Sequence, residues 1–131
     1  MKALLPDTNV LSELFRANAK VRSLLRSAER ILITPVVEGE LLGGFRAGNR
    51  LEKNLAEWSE FLDEPFVERL LISSDTANRY SRIWAQLRRS GTPIPSNDMW
   101  IAAQAGESGG ELLSYDAHFA CVQGLVWKHL T

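Results

Sequence analysis

"LLPDTNVLSEL" (residues 4–14) holds a short apolar run, a proline, an aspartate and then apolar residues at helical spacing. Leu4 and Leu5 suit a buried strand, whereas Val10, Leu11 and Leu14 share one face of a helix. The joint between them carries Asp7, with no lysine or arginine within three residues on either side. A strand that runs into a core and ends on a bare carboxylate asks for a partner that its own neighbourhood does not supply.

The same strand-then-helix pattern recurs along the chain. The spacing predicts strands at Ala3–Leu5, Ile31–Ile33, Val67–Ile72, Glu111–Ser114 and Leu125–Trp127. Between them it predicts helices at Thr8–Arg16, Ala19–Arg30, Asn49–Asp63, Ser74–Ser90 and Ser96–Glu107, with a short one at Ala117–Val122. Thr34-Pro35 starts a further helix through Phe45, a hydroxyl cap followed by a proline in the first turn. Gly43-Gly44 weakens that helix, which implies close packing or the approach of another backbone. Strands alternating with helices imply parallel pairing through right-handed crossovers. The expected fold is α/β, a three-layer α/β/α sandwich around a central, mostly parallel sheet, with residues 1–131 as one domain.

The 15 basic and 16 acidic residues leave a net charge of −1, so nucleic-acid binding through a general basic field is excluded. One cysteine, Cys121, excludes an internal disulfide framework and fits a reducing compartment. No apolar run approaches the roughly 20 residues of a membrane span. These features lead us to expect a cytoplasmic protein.

In open α/β sheets, ligands gather beyond the carboxyl ends of the strands. Four acids fall in such places: Asp7 after the first strand, Glu40 in the helix after the second, Asp98 in the first turn of "SNDMWIAAQA", and Asp116 just past the fourth strand. Asp7, Asp98 and Asp116 each also suit a helix N-terminus. Glu40 lies beside a face of Val36, Val37 and Leu41, and Asp98 lies at the end of a stripe of Ile101, Ala102 and Ala105. Carboxylates brought together repel unless a cation neutralises them. Oxygen donors alone favour Mg²⁺ or Mn²⁺ over Zn²⁺. Such ions activate water and stabilise in-line displacement at phosphate.

Four motifs, in order, carry a likeness to a known family: "LLPDTNVLSEL" (4–14), "ITPVVEGELLGGF" (33–45), "IPSNDMWIAAQA" (94–105) and "LLSYDAHFACVQGLVW" (112–127). On these the chain resembles the PIN domain family and, within it, VapC-type toxins of toxin–antitoxin pairs. The resemblance implies an endoribonuclease dependent on Mg²⁺ or Mn²⁺. It implies that Asp7, Glu40, Asp98 and Asp116 are the acidic quartet, with Asn9, Asn97 and Ser114 as polar support. It further implies an RNA substrate, a VapB-type antitoxin partner and a homodimer. Two features depart from the pattern. Pro6 removes a backbone donor just before Asp7, and Glu38 adds an acid about 200° around the helix from Glu40, facing solvent.

For RNA phosphates, Arg46, Arg50 and Lys53 are the expected contacts. Trp58 and Trp84 are expected on buried helix faces, His118 in a surface or capping role, and Cys121 as a small buried residue. A non-catalytic module using the acidic pocket to hold an ion or a basic peptide is the competing reading. A phosphatase is disfavoured because the second residue after Asp7 is Asn9 rather than a second aspartate.

Overall fold

The computed structural model describes residues 2–131. Five strands form one parallel sheet: β1 (Ala3–Pro6), β2 (Arg30–Ile33), β3 (Val67–Arg69), β4 (Glu111–Ser114) and β5 (Trp127–His129). Their order across the sheet is β3-β2-β1-β4-β5. The helices are α1 (Thr8–Phe15), α2 (Ala19–Arg26), α3 (Pro35–Ala47), α4 (Leu51–Leu62), α5 (Ser74–Ser90) and α6 (Ser96–Ser108), with a 3₁₀ turn over Ala117–Cys121. The expected α/β/α sandwich is therefore the fold.

Topology fixes the layers. The chain steps from β1 to β2 to β3 in one direction, then jumps back across β1 to β4 and β5. Right-handed crossovers consequently place α1–α4 on one face and α5–α6 on the other. The direction of winding reverses between β1 and β4, and the crevice beyond their carboxyl ends is where such sheets bind ligands.

Leu4, Leu5, Ile31–Ile33, Leu112 and Leu113 are fully or almost fully buried between these layers. Each such side chain contributes about 1.5–3 kcal/mol of burial. The middle of α6, from Asp98 to Ala105, is buried, with only Trp100 partly open and stacked on Tyr80 of α5. Ala102 and Ala105 let it lie close to its neighbours. It ends on Gly109, whose φ of 76° suits a residue without a Cβ. Gly110 follows because a Cβ there would sit 2.8 Å from Leu32 Cδ1.

Pro6 lies inside β1, in register with Leu113 of β4, and the Asp7 N–H donates to Leu113 O at 2.9 Å. Successive residues of a strand direct their backbone groups to opposite neighbours. The donor missing at Pro6 is therefore the one that would face β2. β1–β2 pairing accordingly stops at Leu4–Ile31, while β1–β4 pairing runs on to Pro6–Leu113. Pro6 leaves the presentation of Asp7 to β4 intact.

Several expectations need correction. Trp84 is 44% exposed, with the Arg88 guanidinium 4.4 Å over its ring, because the buried face of α5 runs through Thr76 and Leu87 instead. Trp58 is buried as expected and joins Phe15 and Phe61 in an aromatic cluster. Glu38 does not face solvent. Its carboxylate accepts from Trp58 Nε1 at 2.9 Å and from Arg69 at 2.7 Å, and its side chain is 19% exposed. Cys121 is only partly buried. The third strand ends at Arg69, three residues before the expected end at Ile72, and Leu71 and Ile72 are exposed. Among the described residues, no helix is long and apolar enough to cross a membrane.

Candidate metal centre

Asp7 leaves the end of β1 and caps α1, so the joint that opens the sequence serves two purposes. Its Oδ1 accepts from the Thr8 N–H at 2.8 Å, and its Oδ2 accepts from the Ser114 hydroxyl at 2.8 Å. Ser114 is fully buried at the end of β4, and its oxygen also accepts from the Asp116 N–H at 3.0 Å. One hydroxyl thus ties the ends of the two central strands together and sets the positions of two acids. Asp116 precedes the 3₁₀ turn without capping it through its side chain. Its carboxylate is free to face the pocket.

Asp98 enters from the first turn of α6 and is 6% exposed, against 5% for Asp7. Burial pushes both carboxyls above their ordinary value of 3.8. For Asp7 the Ser114 and Thr8 hydrogen bonds oppose that rise, while Asp116 and Glu40 add to it. For Asp98 the charge of Asp7 is the next largest cause, and His118 opposes it. No lysine or arginine pairs with Asp7, Asp98 or Asp116 among the described residues.

His118 is the residue that sequence reasoning misplaced. Its Nε2 lies 2.7 Å from Asp98 Oδ2 and 3.9 Å from Asp116 Oδ2. One ligand atom from each of Asp98, Asp116 and His118 lies within 4.8 Å of the other two. The 3₁₀ turn after Asp116 brings the imidazole back over the pocket, which a reading as surface or cap did not anticipate. The only local signal was the two-residue spacing from Asp116.

Glu40 lies on the exposed rim, carried by α3. Its two oxygens accept from Thr8 Oγ1 at 2.7 Å and Asn97 Nδ2 at 2.8 Å. Asn97 therefore orients Glu40. Asn9 is exposed on α1 and lines a cleft together with Thr8 and Glu40, with no hydrogen bond to the four acids among the described residues. Thr8, one residue earlier on α1, is the residue of that turn that hydrogen-bonds Glu40.

The expected phosphate contacts divide. Arg50 lines a cleft that starts at Glu40. Lys53 faces the other side of α4, in a pocket with Phe15 and Phe61, and pairs with Glu57 at 3.8 Å. Arg46 is exposed in the last turn of α3.

Asp98, Asp116 and His118 converge as a donor set suited to a hard or borderline divalent ion, whereas Asp7 and Glu40 lie beside that group rather than within it. The likeness to known proteins agrees with this geometry. The family model described as PIN domain matches residues 4–125. Ribonuclease VapC1 of Haemophilus influenzae (strain R2866) is 27% identical over 131 residues, covering 95% of this chain and 96% of the relative. Ribonuclease VapC5 of Mycobacterium tuberculosis is 27% identical over 96 residues, 73% of this chain and 71% of the relative. Among solved structures, DNA-bound VapBC from Salmonella typhimurium superposes with a TM-score of 0.85 at 25% identity, over 98% of each chain.

Proposed function

The chain belongs to the PIN domain family, and from that membership we propose that it is a VapC-type endoribonuclease dependent on Mg²⁺ or Mn²⁺, the toxin of a VapBC pair. The observation that carries the reading is the convergence of Asp98, Asp116 and His118 within 4.8 Å, beside a buried Asp7. Asp7, Asp98 and Asp116 would hold the ion, and His118 supports them through Asp98.

A divalent ion held there supplies Lewis-acid polarisation of the phosphate and makes a nucleophilic water available near neutral pH. The chain's own groups do the positioning. Ser114 holds Asp7 and the backbone of Asp116 in one frame. Thr8 and Asn97 hold Glu40 at the rim, where its carboxylate orients the attacking water and accepts its proton. Attack at phosphorus forms one P–O bond and breaks another, and the departing oxygen takes a proton from solvent.

A VapB-type antitoxin is the proposed partner, supported by the similarity to VapBC complexes. The homodimer and the cytoplasmic location belong to the same proposal. The test is single-stranded RNA cleavage with Mg²⁺ or Mn²⁺, compared between wild type and Asp98→Asn with matched folding checks. Cleavage by the wild type alone supports the assignment. Equal cleavage by both overturns the role of Asp98. Ion binding without any turnover favours the non-catalytic module.

A further inference from the structure

Beside the acid pocket, α1, α3 and the start of α4 enclose a cleft of about 580 Å³. That volume falls within the range of small-molecule sites. Its walls are polar in a particular way. Its lining includes Glu40, which is hydrogen-bonded to Thr8 next to Asp7, the guanidinium residues Arg16 and Arg50, and the carboxamide residues Asn49 and Asn54. Arg16 is held only by Glu13, an exposed pair that contributes little. Arg50 has no ion pair, and neither carboxamide makes a hydrogen bond within the chain, among the described residues.

Gly44 forms part of the α3 wall. A Cβ built on Gly43 or Gly44 would meet nothing within 4 Å, so internal packing does not explain either glycine. Each weakens the helix by about 1 kcal/mol relative to alanine. Only Gly44 lines the cleft, and a side chain there would project into it.

We infer that this cleft receives a nucleotide of the single-stranded RNA substrate, next to the phosphate that reaches the acids. This rests on the ribonuclease reading and says where the strand runs. Arg50 and Arg16 meet the backbone phosphate, as guanidinium groups do. Asn49 and Asn54 each present a donor and an acceptor, the pairing that reads a base edge. Base edges are accessible in single strands and shielded in an A-form duplex.

The experiment compares Gly44→Leu with Gly43→Leu in the full chain, alongside Arg50→Ala. Both leucines improve helix propensity on exposed positions, so both are expected to hold or raise the thermal midpoint. Cleavage kinetics and anisotropy of a fluorescein-labelled single-stranded RNA of mixed sequence supply the readouts. Gly44→Leu and Arg50→Ala are expected to raise KM and Kd by about tenfold or more, the loss of one good contact, with kcat within about twofold. Gly43→Leu is expected to match the wild type. If the wild type cleaves RNA and none of the variants changes KM, the cleft assignment fails and the ribonuclease reading stands. If the wild type does not cleave, yet RNA binding is lost only in Gly44→Leu and Arg50→Ala, the cleft stands and the ribonuclease reading fails. If RNA neither binds nor is cleaved, both fall.

Discussion

Glu38 and Glu40 stand two residues apart on α3, and each belongs to a different electrostatic region. Glu38 meets a cation, Arg69, and an indole N–H, that of Trp58. Glu40 meets only neutral donors, Thr8 and Asn97, at the edge of a pocket holding three more carboxylates. On one side of the helix a charge is neutralised within the fold. On the other, carboxylates are placed together and, among the described residues, no lysine or arginine pairs with them. Glu38 is given its counter-charge within the fold, whereas the pocket carboxylates are only held in place, as the proposed divalent ion would require.

The contrast can be broken most sharply at Asp98. Asp98→Asn removes a buried charge from the unbalanced side while keeping an acceptor for His118. RNA cleavage is expected to fall about 10³-fold, while the thermal midpoint in a chelator holds or rises. A fall in both would place Asp98 among the stabilising acids instead.

Ser114→Ala comes next. It frees Asp7 Oδ2 and the Asp116 N–H together. Loss of such a supporting hydrogen bond is expected to weaken Mn²⁺ affinity about 10–100-fold, measured by calorimetry.

Glu38→Ala should act in the opposite sense. It leaves the buried Trp58 N–H without its partner and is expected to lower stability by about 1–2 kcal/mol in urea unfolding, with unchanged kcat per folded molecule. Glu40→Gln should lower kcat and leave the unfolding midpoint nearly unmoved.

The pH dependence distinguishes the regions more gently. Asp7 and Asp98 hold their protons to higher pH in the native state than in the unfolded chain. The native state therefore binds more protons above the ordinary value of 3.8, and stability falls as pH rises through that window. Saturating Mn²⁺ is expected to counter the decline, because ion binding needs the deprotonated carboxylates. Thermal midpoints in chelator and in Mn²⁺, taken across mildly acidic pH, check both signs.

Pro6→Val is the smallest. It restores a ladder donor toward β2 and loosens the unfolded chain, and these offset to within about 0.5 kcal/mol. Mn²⁺ affinity should not move.

Much of this was legible in the sequence because it is local. Thr34-Pro35 starts α3 where the cap chemistry predicts, with the Thr34 hydroxyl accepting from the Val37 N–H at 2.9 Å. The apolar triplet Ile31–Ile33 is a buried strand, and the Asp98 stripe is the buried side of α6. What escaped depends on contacts between distant segments. His118 meets Asp98 across 20 residues, and Glu38 meets Arg69 across 31. Periodicity could place Glu38 opposite Glu40, but it could not reveal that Trp58 and Arg69 wait on that side. Trp84 shows the converse, an aromatic residue at helical spacing that tertiary packing leaves on the surface.

The truncated pairing at Pro6 divides the pocket's supports mechanically. Beyond Leu4, β1 is laced to β4 and released from β2. Asp7 and Asp116 therefore ride on one rail, clipped together by Ser114. Glu40 arrives from the other rail, on the helix that follows β2. The bond from Thr8 to Glu40 spans that seam, and the bond from Asn97 ties Glu40 to α6. Small slippage between the rails would change how far Glu40 stands from the three aspartates, so Thr8 and Asn97 act as the latch that sets the gauge of the pocket.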